Sequence, residues 1–322
     1  MSNSFKLAFV WDWDNPWSQM ISWKDGLAKA IQILSKEWEV NCYSIGKDTI
    51  FQHDYFPITL KPTPELLSET ILKEKPDAIL VFGDFTRPTI PFLTDKGIPM
   101  AICLAGGTFR NYVDAFDLIF VESEVYKNQL EAEGKRVIKA FGVDTELFKP
   151  IKQPKIWDAI FPATFANWKR HSIFTEAMGS KGVACGWMYQ DHETENWQIC
   201  QEKGTMILPH LSHKAVAYLM NAAKTCVITS DSTGGSQRTV LEAMACNIPV
   251  IAMHDSDKTT EYVRDCGIGE IVNPDVDSIR KAVEKWKDKE VNSREWVIEN
   301  YSAEIYADKL KQGLLSLCEY QS

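Results

Sequence analysis

Short apolar segments alternate along the chain with segments whose apolar residues recur at helical spacing. Residues 6–10 and 76–82 are apolar and rich in β-branched or aromatic side chains, as buried parallel strands are. Between them, residues 24–34 place apolar side chains on one helical face, and residues 64–73 begin with Pro64, which favours a helix start. This alternation predicts parallel sheets covered by helices on both faces.

The alternation occurs twice, once in each half of the chain. In the first half we predict strands at 6–10, 39–43, 76–82, 99–104, 117–121 and 137–140, and helices at 24–34, 64–73 and 123–133. In the second half we predict strands at 159–161, 183–185, 205–208, 226–229, 250–252 and 270–272. Residues 149–154 predict a linker, so we expect doubly wound domains at 1–150 and 151–300, followed by a C-terminal helix within 301–322.

Composition narrows the classes of function. A hydrophobic content of 45% and a charged content of 25% are ordinary for a globular protein. The formal net charge of −9 disfavours a duplex nucleic acid partner without excluding one, because a local basic cleft can exist in an acidic protein. No apolar run reaches the ~18 residues of a membrane span, and the first residues lack a signal-peptide core. We therefore expect a cytoplasmic protein without a transmembrane segment.

The cysteines and histidines give no metal or disulfide pattern. None of the eight cysteines forms a C-x-x-C pair, and most lie in apolar contexts, so we expect reduced core thiols. His210 and His213 have metal-like spacing, but no ligand set lies beside them in the sequence. A structural or surface role is favoured for both.

Residues 229–253 carry the most informative pattern of the chain. A strand end is followed by a small, polar loop with Gly234 and Gly235, by helix-forming residues 239–245, and by Asn247, which can serve as a left-handed cap. A helix that follows a glycine loop presents free N–H groups, which bind phosphate. Glu242 could accept hydrogen bonds from sugar hydroxyls. The segment therefore indicates a ligand of nucleotide type.

Several segments together resemble the retaining glycosyltransferases of family 4. Residues 141–150, FGVDTELFKP, look like the family segment that ends the first domain. Residues 241–246 followed by 249–252, LEAMAC and PVIA, are similar to its most recognisable block, and residues 261–274 are similar to its E-x-V…G-x-G…V-x-P tail. The resemblance implies a GT-B fold of two facing Rossmann-like domains, with the acceptor at 1–150 and the donor at 151–300. It also implies that the helix in 301–322 crosses back to the first domain.

The resemblance implies roles for individual residues. Glu242 would bind the nucleotide ribose, and Lys169 would neutralise the diphosphate that leaves, so that no metal is needed. Gly235, Ser236 and Gln237 would meet the donor through backbone N–H groups, and Val240 and Leu241 would open the helix beneath them. The full donor set is Gly234, Gly235, Ser236, Gln237, Arg238, Thr239, Val240, Leu211 and Arg170.

The chain departs from the family pattern at several positions. Gly234 stands where a glutamate contacts the donor hexose, which leaves the sugar open. Thr164 replaces an arginine five positions before Lys169, and Arg238 or Arg170 could supply that charge. Residues 12–18 replace a glycine-rich loop, and the first-domain histidine near the reaction centre has no clear match.

The acceptor side is predicted from the loops that follow the first-domain strands. Trp13 and Trp17 could stack on sugar rings or nucleobases, and Asp14 could accept from an acceptor hydroxyl. Packing of the tryptophans in the interior, and capping of the loop by Asp14, are the alternatives. Asp84, Gly106 and Gly107 follow two further strands, where a plain turn is an equal alternative.

The leading hypothesis is a retaining, metal-independent transferase that moves a hexose-type sugar from a UDP- or GDP-sugar to a hydroxyl of a saccharide or other acceptor. A second hypothesis keeps the chemistry but makes a hydroxylated DNA base the acceptor. A third, motivated by Gly234 and Thr164, is a catalytically idle nucleotide-sugar-binding protein.

Overall fold

The computed structural model describes residues 4–11, 26–52, 56–84, 87–104, 112–188, 194–233 and 237–319. The chain divides into two compact units. Unit 1 comprises Met1–Gly142 together with Ala303–Ser322, and unit 2 comprises Val143–Ser302. Each unit is built on its own sheet, in which parallel strands are joined by helices.

Unit 1 contains an eight-stranded sheet in the order β3-β4-β2-β1-β5-β6-β7-β8. Its strands are β1 Lys6–Val10, β2 Glu39–Ile45, β3 Thr49–Gln52, β4 Pro57–Lys61, β5 Ala78–Gly83, β6 Met100–Leu104, β7 Leu118–Val121 and β8 Val137–Lys139. Every pairing is parallel except that of β3 with β4, which is antiparallel. Parallel strands covered on both faces must be apolar throughout, and β6 is accordingly buried at all of its positions.

The helices of unit 1 cover both faces of this sheet. They are α1 Gly26–Leu34, α2 Pro64–Lys73, α3 Ile90–Leu93, α4 Glu124–Ala132 and α12 Ala303–Glu319. The last of them comes from the end of the chain, and its buried Leu310 and Leu314 join a core cluster with Leu118 and Phe120. The side chain of Thr63 caps α2 by accepting from the Leu66 amide, and Pro64 occupies its first turn.

Unit 2 contains a six-stranded, fully parallel sheet in the order β11-β10-β9-β12-β13-β14. Its strands are β9 Trp157–Pro162, β10 Gly182–Gly186, β11 Met206–Pro209, β12 Ala223–Ile228, β13 Val250–Met253 and β14 Gly269–Val272. Its helices are α5 His171–Met178, α6 Thr194–Glu202, α7 His213–Asn221, α8 Gln237–Ala245, α9 Asp257–Cys266, α10 Val276–Trp286 and α11 Arg294–Tyr301. The order is that of a dinucleotide-binding Rossmann sheet, in which the strand sequence reverses at the centre.

The strand patterns predicted from the sequence appear in the structure, but several elements were missed and some bounds were wrong. Strands β3 and β4 were not predicted. Strand β3 is short and largely exposed, so it has no pattern of buried apolar residues. The helix predicted at 239–245 begins earlier, so Gln237 opens it rather than Val240 and Leu241. Asn247 has the expected left-handed φ of 56°. Among the described residues, no helix is both long and apolar enough to cross a membrane.

Candidate functional site

The best-formed polar cluster of unit 2 lies at the carboxyl ends of β9, β12 and β13. These strands are neighbours at the centre of the sheet, with β10 and β11 on one side and β14 on the other. The connections after β9 and β12 leave in opposite directions, which opens a crevice at the strand ends. Ligands of doubly wound sheets bind at this position, so the loops after these strands form the candidate site.

The loop after β9 is fixed by its neighbours on two sides. The Phe165 amide donates to the Trp187 carbonyl at 2.8 Å, and the side chain of Asn196 on α6 donates to Asn167 at 3.0 Å. A Cβ built on Gly186 would lie 1.8 Å from the carbonyl oxygen of Ala163, so only glycine lets β10 end this close to the loop. The loop then closes in a single 3₁₀ turn, Asn167–Lys169.

Lys169 is 8% exposed at the end of this turn. The next residue but one, His171, is fully buried between the rings of Phe161 and Phe165, whose centroids are 4.8 and 4.5 Å away. Burial lowers the pKa of His171 to about 3. The positive charge of Lys169 also lowers this pKa, and contact with the Ala163 backbone offsets a smaller part of the shift. His171 is therefore neutral at physiological pH and adds no positive charge to this turn.

Arg170 has a left-handed backbone conformation, with φ 54° and ψ 49°, between the 3₁₀ turn and α5. Its Nη1 and Nη2 donate to the two carboxylate oxygens of Asp255 at 2.6 and 2.9 Å, and its Nε donates to the Thr229 carbonyl at 2.5 Å. These bonds lower the pKa of the Asp255 carboxyl. The charge of Arg170 is thus balanced inside the protein by Asp255.

The end of β12 is tied to the same turn. Thr229, which is fully buried, donates its hydroxyl to the Lys169 carbonyl at 2.7 Å. The Asp231 amide donates to the Trp168 carbonyl at 3.0 Å, and Ser256 donates to the Asp231 carbonyl at 3.4 Å. Side chains and backbone therefore connect three loops that come from three different strands.

Helix α8 begins beside this cluster. The hydroxyl of Thr239 donates to the carbonyl of Pro162, the last residue of β9, at 3.3 Å. Glu242 lies one turn further on and is 5% exposed, with Arg238 Nε 3.5 Å from its Oε1. Its negative charge adds to burial in raising the pKa of the Cys185 thiol to about 12. Glu242 is therefore a buried carboxylate beside the core, while Val240 and Leu241 are wholly buried core side chains.

Other predicted residues are spread more widely. Leu211 is half-buried between β11 and Ser212, the N-cap of α7, and Asp84 is half-buried directly after β5 in unit 1. His210 packs edge-on against Trp187 at 4.6 Å. The remaining predicted site residues lie outside the described residues: Gly234, Gly235, Ser236, Trp13, Asp14, Trp17, Gly106 and Gly107.

Two charged residues that follow strands were not predicted from the sequence. Asp255 follows β13, and its position after a buried strand was the one available signal. In unit 1, Arg87 is 7% exposed after β5, and a Cβ on Gly83 would lie 1.9 Å from its Nε. Gly83 also has a φ of 135°, which other residues rarely adopt, so the end of β5 is shaped around the guanidinium.

Comparisons with known proteins agree with the fold. The family model described as Glycosyl transferases group 1 matches residues 144–304, half of the chain. No curated protein matches. Three solved structures, each 14% identical, are similar over nearly their whole length: a sucrose-phosphate synthase from Thermosynechococcus elongatus (TM-score 0.75, 99% of this chain and 100% of that one), a glycosyltransferase from Rickettsia africae ESF-5 (0.76, 99% and 100%) and Anabaena Alr3699/HepE in complex with UDP and glucose (0.73, 97% and 100%). They confirm the predicted GT-B fold class of two Rossmann-like parallel-sheet domains.

Proposed function

The chain belongs to the glycosyl transferases group 1 family, and on that premise we propose that it transfers a hexose-type sugar from a nucleotide-diphosphate sugar to a hydroxyl group of an acceptor. The donor binds residues 151–300, and the acceptor binds residues 1–150. A UDP-sugar is the favoured donor, since the similar Anabaena protein has been solved with UDP and glucose. The helix within 301–322 belongs to the acceptor domain.

The observation that carries the proposal is that the turn ending in Lys169 is tied to the end of β12, while the start of α8 is tied to the end of the neighbouring strand β9. Departure of a nucleoside diphosphate builds negative charge on its phosphates. We infer that the Lys169 ammonium and the N–H groups of the first turn of α8 serve the same strand-end crevice, where both stabilise such charge. Thr239 supports this arrangement because its bond to Pro162 holds the start of α8 against the end of β9.

Glu242 is proposed to bind the two hydroxyls of the donor ribose. A carboxylate is an acceptor on both of its oxygens, so it can hold a vicinal diol. Arg238 places its Nε 3.5 Å from Glu242 Oε1, and the packing around the buried side chain restricts its rotamer. The position of the Glu242 carboxylate is therefore set before the ligand binds.

The proposed reaction proceeds with retention and without a metal. The acceptor oxygen bonds to the anomeric carbon from the face that the phosphate leaves, the bond between that carbon and the phosphate oxygen breaks, and the acceptor proton passes to the departing phosphate. Lys169 supplies the positive charge that a metal would otherwise supply. We expect turnover to survive EDTA and the product to keep the donor's anomeric configuration. An inverted product would contradict the mechanism.

The proposed function is tested by thermal shift of the whole protein with UDP, GDP and their sugars, since a ligand that binds only the folded state raises the melting temperature. We expect a UDP-sugar to raise it, and the Glu242→Ala variant to lose most of that shift. Exposed Glu195 on α6 offers a control, and its alanine variant should respond like the wild type. No shift with any nucleoside diphosphate or sugar nucleotide would reject the function.

A second candidate is a nucleotide-sugar-binding protein without turnover. Two features favour it: Gly234 replaces the expected glutamate, and the charge of Arg170 is balanced by Asp255 instead of replacing the arginine missing at Thr164. Hydrolysis of the bound donor in the absence of acceptor separates the two, because working transferases lose some donor to water. Binding without any hydrolysis or transfer favours this candidate.

The proposed compartment is the cytoplasm. All eight cysteines are free thiols, six of them buried, which suits a reducing compartment.

A further inference from the structure

We propose that Arg170 is a positioning residue of the transfer reaction, which locks the turn carrying Lys169 to the ends of β12 and β13 and does not itself contact the donor. The inference rests on the proposed function for its effect on turnover. The proposal also predicts that Asp255 acts through Arg170, because their paired side chains hold the turn together.

Arg170 has a backbone conformation that is unfavourable for a residue with a side chain. The chain passes from a 3₁₀ turn to α5 through one left-handed residue, and glycine is the residue that adopts this conformation most easily. For an arginine this backbone conformation is unfavourable, and contacts of the side chain can compensate for its cost. The guanidinium provides that compensation with three hydrogen bonds.

Those three bonds reach two separate loops. Asp255, after β13, receives a bidentate pair, and the Thr229 carbonyl, at the end of β12, receives the third bond. Bidentate arginine–carboxylate pairs fix orientation as well as distance. Thr229 returns a bond from its hydroxyl to the Lys169 carbonyl at 2.7 Å. The backbone of Lys169 is therefore held from both the arginine side and the threonine side.

A lock of this kind affects the chemical step more than donor affinity. The diphosphate bears its largest charge as it leaves, so a misplaced Lys169 costs most at the transition state. A displacement of about 1 Å at a positioning residue costs on the order of 100-fold in rate. The donor in its ground state keeps its contacts with α8 and Glu242, so its dissociation constant changes little.

The competing explanation is that Arg170 binds the diphosphate directly. The two explanations differ in what Asp255 does. If Arg170 is a lock, loss of the Asp255 charge loosens the turn and slows turnover. If Arg170 is a ligand, loss of that charge releases the guanidinium to the donor, and donor affinity stays the same or improves.

The experiment uses full-length Arg170→Gly, Arg170→Lys and Asp255→Asn variants and the Arg170→Gly/Asp255→Asn double variant. Glycine keeps the left-handed backbone and removes the side chain, while lysine keeps the charge and loses the bidentate geometry. The control is Arg280→Ala, which removes an arginine that bonds two carbonyls of α5, those of Glu176 and Ala177, away from the turn. Measurements are kcat, the KM of the donor, the dissociation constant of the nucleoside diphosphate, and hydrogen exchange of the amides of Lys169 and Asp231.

We expect Arg170→Gly to lower kcat by roughly 10- to 100-fold with donor KM and nucleoside diphosphate affinity within about threefold of wild type. Asp255→Asn should lower kcat in the same direction, and the double variant should be no slower than Arg170→Gly, because the two residues act as one unit. Exchange at Lys169 and Asp231 should accelerate in all of these variants. Arg280→Ala should match the wild type in each measurement.

Wild-type kcat in Arg170→Gly would overturn the proposal, because the backbone conformation alone would then suffice. A loss of nucleoside diphosphate affinity above about tenfold in Arg170→Gly, with unchanged or tighter binding in Asp255→Asn, would assign Arg170 to the donor instead. A wild-type protein that neither binds nor turns over any sugar nucleotide would reject the proposed function. Hydrogen exchange still decides in that case whether Arg170 fixes the turn, and unchanged exchange in Arg170→Gly would reject the lock.

Discussion

Lys169 is 8% exposed, and neither basic residue that follows it adds an unbalanced charge to its turn. Its neighbour His171 is neutral, and Arg170 is balanced by Asp255. Under the proposed function, the effect of Lys169 on the donor therefore depends on how Arg170 and His171 are held.

Replacing Lys169 tests its charge. We expect Lys169→Ala to lower kcat by roughly 100- to 1,000-fold, the usual cost of removing one group that stabilises transition-state charge, and Lys169→Arg to recover part of it. Steady-state kinetics with saturating donor gives the value. Lys203→Ala serves as control, since Lys203 pairs with Glu176 on the surface. Equal rates in the two alanine variants would remove Lys169 from the mechanism.

His171 makes stability depend on pH. Its folded pKa of about 3 lies below the ordinary 6.5, so the unfolded chain takes up the proton first as the pH falls. Stability is therefore complete above about pH 6.5 and declines toward pH 3, by at most roughly 1.4 kcal/mol per pH unit. Urea unfolding between pH 7 and pH 5 should show a smaller decline for His171→Phe than for wild type. Equal slopes in the two proteins would contradict the assignment.

At the scale of elements, the site depends on how closely β10 approaches the loop after β9. The Ala163 carbonyl occupies the space that a side chain at Gly186 would need. We expect Gly186→Ala to push the loop and Lys169 outward, and to lower kcat by at least tenfold while the protein remains folded. Gly204→Ala is the matched control, because nothing lies within 4 Å of its Cβ, although its φ of 75° carries some strain. Circular dichroism and kinetics together separate displacement from unfolding, and wild-type turnover in Gly186→Ala would show that the loop adapts.

The sequence predicted those strands and helices in which burial requires a regular pattern of apolar residues. Strands β5, β6 and β13 are apolar throughout and were recognised, whereas β3 is mostly exposed and has no such pattern. Glu242 was first predicted as a site residue from its place in the helix that follows the glycine loop, and Lys169 from a resemblance of motifs. Asp255 and Thr229 were not assigned to the site, because their roles arise from contacts across 59 to 85 positions of sequence that no local pattern encodes.

At the scale of the whole molecule, the chain ends in the unit where it began. Helix α12 supplies Leu310, Leu314 and Leu317 to the core of unit 1, and a Cβ on Gly313 would lie 2.6 Å from the Phe120 ring. Unit 1 therefore needs α12, which follows unit 2 in the sequence, to complete its core. Unit 2 forms its own sheet from Val143–Ser302.

Two adjacent leucines test the importance of this helix. Leu314 is fully buried and Leu315 is 38% exposed. We expect Leu314→Ala to lower the free energy of unfolding by about 2–5 kcal/mol, since it leaves a cavity in a packed core, and Leu315→Ala to change it by less than about 1 kcal/mol. Urea unfolding followed by circular dichroism gives both values. Similar losses in the two variants would show that α12 does not pack as described.

The two partly exposed thiols allow a change in the separation of the two units to be measured. Cys42, Cys103, Cys185, Cys200, Cys226 and Cys246 are buried, whereas Cys266 at the end of α9 and Cys318 near the end of α12 are partly exposed. Maleimide or nitroxide reagents at mildly alkaline pH should therefore modify one cysteine in unit 2 and one in unit 1 without any mutation. Dipolar spectroscopy or energy transfer between these two native labels would then record, with and without sugar nucleotide, whether the separation of the units changes during the catalytic cycle.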